Sequence, residues 1–330
     1  MHRSPHGLIA IIACAAALAA CSASISGTVT RNAIVPSSIG SLTRPDANRP
    51  VVVAMNSATG RLETWPMRRG GGGDPTPISG KLGLDNVDAL AAVGDVVMIA
   101  AQRPPSISLY NMKTHALKIL ADPFGTPLDL AVGRDGTIYA IDLNGFPSPV
   151  TMYKPPAYKP RELLCNAVHR AVRIAVDDES DIFVDGYGIK SSGIIAEIPN
   201  GPNGPDPRHC VRLPLKSGAG YVEGVTVDPK TDDLLTLDNP DSCAGGREGR
   251  LTTYPKPYDK TTGRSRMIGV VCPVGLRLNA DSTVVFTIDT TIGNGLQFIL
   301  QRSYPDGGDF GNYHGGSPAA FTTIPNTLPN

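Results

Sequence analysis

Cysteines, histidines and clustered acids are the residues with which this chain could do chemistry, and their spacing narrows what that chemistry is. Six cysteines stand at positions 14, 21, 165, 210, 243 and 272. No CxxC or HxxxH pair accompanies them, so the spacing that seeds a zinc site is missing. No Ser-His-Asp arrangement or cofactor fingerprint is present. Arg68-Arg69 followed by Gly70 to Gly73 lacks the Lys-Ser/Thr ending of a phosphate loop and reads as a flexible turn. Asp177-Asp178-Glu179 could suggest a metal loop; between two apolar runs it reads more simply as a solvated acidic hairpin. These patterns identify no catalytic residue and no metal ligand.

The N-terminus gives Cys21 a chemical role. One fixed positive charge, Arg3, precedes an uncharged and mostly apolar run from Leu8 to Ala20. A permanent membrane span needs about 20 apolar residues; this run has the length of a signal-peptide core instead. It ends Leu18-Ala19-Ala20-Cys21, which resembles the lipobox of bacterial lipoprotein precursors. That resemblance implies cleavage before Cys21, acylation of its thiol and a lipid anchor of the palmitate type. It also implies export, to the periplasmic side or to the outer membrane, and Ser22 after the cysteine favours outer-membrane sorting. Residues 21–48 are rich in Ser, Thr, Asn and Pro and read as a tether. The expected organisation is therefore a signal peptide (1–20), a lipidated tether (21–48) and a folded domain (49–330).

Composition constrains the partners. The signal holds one of the 30 Lys+Arg, leaving 29 against 30 acids in the mature chain. That balance argues against a nucleic-acid footprint. The 36 Gly and 30 Pro predict frequent turns.

A repeated pair of β-rich runs orders the remainder. Leu128 to Val132, a Gly-Arg-Asp-Gly turn and Thr137 to Asp142 make one copy. Val172 to Val176 with Asp181 to Asp185, Gly224 to Val227 with Leu234 to Asp238, and Gly275 to Leu278 with Thr283 to Asp289 make three more. A weaker copy joins Asp88–Val93 to Val96–Ala100. Each reads as a hairpin. A third run then ends in an aromatic or Ile, usually near Pro, as at Trp65, Tyr110, Tyr153, Ile198, Tyr254 and Tyr304. A short fourth strand follows, expected at Leu117 to Leu120, Glu162 to Cys165, Cys210 to Leu213 and Met267 to Val271. Four strands recurring every 40 to 50 residues or so signify propeller blades. With a partial unit at Val51 to Ser79, the count is six. The expected fold is all-β, a six-bladed β-propeller of four-stranded antiparallel blades, its first blade completed by Ala319 to Ile324.

The hairpins, above all Leu130 to Asp142, resemble NHL-type repeats, and more loosely the SMP-30/gluconolactonase and streptogramin lyase propellers. The resemblance spans about residues 50–325. It implies a fold more firmly than an activity, because this fold hosts many functions. The lactonase group would hold Ca²⁺ on inner-strand carboxylates and amides. Here Asp88, Asp129, Arg173, Glu223 and Val274-Gly275 open the inner strands, and Arg173 would oppose a cation. The lyase group implies a channel histidine. His115 and His209 fall on or beside outer strands and His314 in a Gly-rich tail. His169, in the turn before blade four, is the histidine closest to the channel mouth.

Two expectations follow for specific residues. Cys165, Cys210, Cys243 and Cys272 should form two disulfides, with three possible connectivities. Placement on the blades favours Cys243–Cys272 and Cys165–Cys210. At the channel mouth, Asp129 and Arg173 should lie together, with Glu223 beside them, as a sealing ion pair or a polar-ligand site. The leading functional expectation is a non-enzymatic module that binds an envelope protein or a small ligand. A metal-dependent hydrolase or lyase is the alternative, and only that alternative would require Ca²⁺.

Overall fold

The structure, a computed structural model, describes residues 51–68, 70–189, 193–215, 221–239, 248–258, 263–289, 298–306, 308–313 and 318–324. The chain divides into residues 1–35 and a unit running from Pro36 to Asn330. The expected signal, Cys21 and tether lie outside the described residues, as do Cys243 and His314. Among the described residues no helix is long and apolar enough to cross a membrane.

Among the described residues six blades, each with four antiparallel strands, make up the second unit; one of them carries a fifth, two-residue strand, and a separate two-stranded hairpin lies beside the ring. Blade three shows the plan: Pro127–Val132 innermost, then Ile138–Asp142, Pro149–Lys154 and Lys159–Leu164 outermost. The inner strands of the other blades are Asp85–Val93, Arg170–Val176, Tyr221–Val227 and Pro273–Leu278 for blades two, four, five and six. Blade one takes its inner strand from the far end of the chain. Pro318–Ile324 pairs antiparallel with Val51–Asn56, Val53 opposite Thr322. The ring closes where the repeat predicts.

Alternation along the strands explains why flat blades make a solid ring. Successive side chains point to opposite faces, so each blade offers one apolar row to each neighbour. Six apolar clusters result, one at each interface between blades. The recurring third-strand aromatics are their anchors. Trp65, Tyr153 and Tyr254 are at most 2% exposed, and each such ring removes about 150–250 Å² from water.

Three local expectations are corrected. Gly70-Gly71 is not a free turn but a two-residue strand, parallel to Gly311-Asn312 on the rim of blade six. The outer strand of blade five is Arg264–Met267 and not the apolar run after it. Ile268 and Val270 are buried in the core between blades five and six, while the charged segment takes the solvent edge, as edge strands require. The Asp177 turn is not wholly solvated. Asp177 is buried and accepts from the Asp181 N–H, and the Lys256 ammonium sits among Asp177, Glu179 and Asp232 at 3.7, 2.9 and 2.9 Å. The two acidic groups with metal-like spacing both include Asp177 and so border this lysine.

Candidate functional site at the channel mouth

Bulges at the starts of the inner strands build the mouth. Each of the five inner strands from blade two to blade six slips register near its start. The residues left without a partner opposite include Asp88, Val172, Glu223 and the pair Gly275-Leu276. A bulge re-aims the side chains around it, and here it turns charged groups toward the axis. Gly224 shows how tightly the strands approach. A Cβ added there would lie 2.6 Å from Leu276 Cβ, so a side chain would force the two inner strands apart.

Asp129 and Arg173 both line the axial cavity. They are not each other's ion partner. Asp129 pairs with Arg277, Oδ1 to Nη2 at 3.0 Å, and its Oδ2 accepts from the Ile174 N–H, also at 3.0 Å. Arg173 turns the other way and donates through Nε to the Glu223 carbonyl at 3.2 Å. Arg277 was not singled out from the sequence. Gly275 aligned with the repeat, but a two-residue bulge between Val274 and Arg277 carries Arg277 to the axis instead. Gly275 itself stands at φ +72°, the left-handed region that favours glycine.

Further acids surround this plug. Gln102 donates to Asp88. Burial pushes the Asp88 carboxyl up to about 6, against the pull of Gln102 and Arg173. Glu223 is half-buried, and burial raises its carboxyl too, with Arg173 opposing. Asp185 is fully buried and held well above the usual range by burial and by Asp238 and Glu223; Arg173 opposes that shift. Asp238 meets Arg250 at 3.4 Å.

Two small cavities lie along the axis. A cavity of about 30 Å³ lies among Asp88, Asp129, Arg173 and Arg277. A second, of about 50 Å³, lies where Ala91, Ala131, Ala175, Thr226 and Thr322 ring the channel beside Arg277. Space of this kind holds water, which needs about 10–15 Å³ of it. A roomier hollow of about 280 Å³ lies at the rim, between Arg161 and the small hairpin Asn200–Pro205.

His169 does not reach the axial cavity. Its ring stacks on Phe146, centroids 4.7 Å apart, at the surface between blades three and four. His115 bonds Tyr110 and His209 bonds Asp206. Cys165 and Cys210 are joined, as expected, across blades three and four. Cys272 is disulfide-bonded as well; its expected partner, Cys243, lies outside the described residues.

A ring of six four-stranded blades around a narrow charged axis defines the class of protein as a six-bladed β-propeller. No protein-family model and no curated protein sequence matches the chain. Solved structures do match by fold. A chain of a nidogen/laminin complex aligns over 84% of this chain and 99% of its own at 14% identity, TM-score 0.65. TolB from Acinetobacter baumannii aligns over 83% and 66% at 12% identity, TM-score 0.59. A gluconolactonase-like protein aligns over 72% and 81% at 11% identity, TM-score 0.52. At these identities the likeness establishes the fold alone.

Proposed function

We propose that this propeller is a non-enzymatic binding module, exported and held to the cell envelope by lipid on Cys21, that engages an envelope protein or small ligand through its loops and rim. The positive charge held at the axis is the observation that carries the reading. A lactonase of this fold needs a cation and a substrate together at the channel mouth. Here Arg173 and Arg277 already supply positive charge at that place, and Asp129 is committed to Arg277. A Ca²⁺ ion there would meet two guanidinium groups. Binding through the exterior asks less of the axis. The ring supplies a rigid scaffold, and its connecting loops and the rim hollow supply the variable surface.

The anchor rests on the lipobox, the short apolar core and the polar tether. Two acyl chains, each buried CH₂ worth about 0.8 kcal/mol, make such an anchor stable. Fractionation of cells making the full chain tests this. The parent chain is expected in the membrane fraction with incorporated fatty acid, and Cys21→Ser is expected to lose both. A Cys21→Ser chain that still labels and sediments with membrane would overturn the anchor.

A further inference from the structure

A row of side chains across blade three ends in an unmatched charge. Tyr139 stands opposite Met152 and Met152 opposite Arg161, so the three share one face of the sheet. Tyr139 and Met152 are 3% and 8% exposed and belong to the core between blades three and four. Arg161 lies beyond that core, on the exposed outer strand. The opposing wall, from blade four, is a direct repeat, Asn-Gly-Pro twice over residues 200–205. It folds as the small hairpin, Asn200 opposite Pro205 and Gly201 opposite Gly204. Its glycines bring no side chain to the gap; a Cβ on Gly204 would meet nothing within 4 Å. The hollow of about 280 Å³ is the space that results. A neighbouring hollow of about 270 Å³ shares Arg161 and the residues from Gly201 to Pro205 with it.

Both walls are tied down. Asn200 donates its N–H to Asp181 Oδ1 at 2.6 Å and its side-chain amide to the Glu179 carbonyl at 2.9 Å. The Asp206 N–H closes the hairpin on the Pro199 carbonyl at 3.0 Å. Cys210, just past the hairpin, is bonded to Cys165, just past the strand that carries Arg161. The charges around the hollows are matched with one exception. Asp135 accepts from the Thr137 N–H and hydroxyl at 2.9 and 2.8 Å, and Lys154 Nζ lies 4.0 Å away. Asp206 accepts from the Arg208 guanidinium at 2.9 and 2.8 Å, with the His209 ring at 3.0 Å. Among the described residues the Arg161 side chain has no hydrogen-bond or ion-pair partner. The two hollows thus carry three cations and two acids, and the surplus charge is that of Arg161.

We infer that this hollow binds a small carboxylate ligand, the carboxylate on Arg161 and the apolar body against Met152 and Tyr139. The inference rests on the reading that the rim and loops, and not the axis, are the recognition surface. A guanidinium presents a planar fork that a carboxylate meets with two parallel bonds. One surplus positive charge matches a monoanion, whereas a phosphate dianion would have Asp135 and Asp206 as repelling neighbours. Ser180 and Asn203 line the same walls and add a hydroxyl and an amide as donors. Ligand sites start at about 300 Å³, so the hollow suits a short organic acid or the terminal carboxylate of a peptide. Both sources present the same group to Arg161.

The experiment is titration calorimetry of the full chain, purified in detergent at neutral pH. The probes are butyrate, N-acetyl-dialanine with a free carboxylate, the C-terminal amide of that peptide, and inorganic phosphate. Saturable binding of butyrate or of the peptide acid is expected, and the tighter of the two names the source. The amide and phosphate are expected to bind at least about tenfold more weakly, as loss of a hydrogen bond between charged groups implies. Arg161→Gln removes an exposed, unbonded side chain, so it is expected to keep the parent Tm and to weaken carboxylate binding by about tenfold or more. Arg170→Gln, exposed on blade four and lining neither hollow, is expected to bind like the parent. No saturable binding of either carboxylate would overturn the inference and leave the loops as the recognition surface. Phosphate bound as tightly as the carboxylates would overturn the assignment of the ligand class. Binding that survives Arg161→Gln and disappears in Glu223→Gln would place the ligand on the axis, overturning both the inference and the reading beneath it.

Discussion

At the scale of single residues, the axis is held by one ion pair with few alternatives. Asp129 and Arg277 have side chains 3% and 15% exposed. Removing one partner of a buried pair leaves the other charged and unpaired, at a cost of about 3–5 kcal/mol. Arg277→Ala should therefore lower the stability measured by urea unfolding by that order. Arg173→Ala, which breaks bonds only to backbone carbonyls among those given above, should cost less. Equal losses would mean that Arg277 is not the principal seal. Asp88 gives a pH-dependent counterpart. Its folded-state carboxyl, near 6, lies above its ordinary 3.8. The folded chain thus holds this proton more tightly than the unfolded chain. The contribution is full below about pH 4 and is lost as pH rises through about 6. Asp88→Asn should flatten the fall in Tm between those values; an unchanged slope would show that other groups set it. Asp129 and Arg173 stand at repeat-aligned positions, and both line the axial cavity. Arg277 was not legible in the sequence, because a bulge of two residues moves it to the axis and periodicity carries no record of bulges.

At the scale of elements, the hairpins were legible because two apolar runs around a polar turn are a local signal. The outer strands were harder. Arg264–Met267 is short, charged and held by one neighbour, so nothing in its composition distinguishes it from a loop. Gly70-Gly71 is a strand only because blade six offers it an edge. Around it, Gln301 donates to the Arg68 carbonyl at 2.7 Å and the Gly72 N–H donates to Asn312 O at 2.9 Å. This contact ties blade one to blade six by a second route. The Cys165–Cys210 bridge does the same for blades three and four, closing a separation of 45 residues. A loop of that size predicts about 3–4 kcal/mol from the restricted unfolded chain. The double change Cys165→Ser with Cys210→Ser should lower the urea midpoint accordingly under oxidising conditions. A midpoint equal to that of the parent would show that the bridge constrains nothing the blades do not already fix.

At the scale of the whole molecule, ring closure and the lining of the axis are one property. Pro318–Ile324 supplies the inner strand of blade one, and Ala320 and Phe321 also line the axial cavity. A chain ending at residue 317 should expose the row from Val51 to Met55 and lose its single cooperative unfolding transition by circular dichroism. A sharp transition in that chain would show that five complete blades suffice. The function proposed for the ring depends on the same closure, since the closed ring is the scaffold that holds the loops and rim. Hydrolysis of a lactone and ester panel by the purified chain in CaCl₂, with and without EDTA, tests that claim most directly. The account predicts no EDTA-sensitive turnover. EDTA-sensitive hydrolysis that disappears in Asp129→Asn or Glu223→Gln, with both variants still folded, would contradict it.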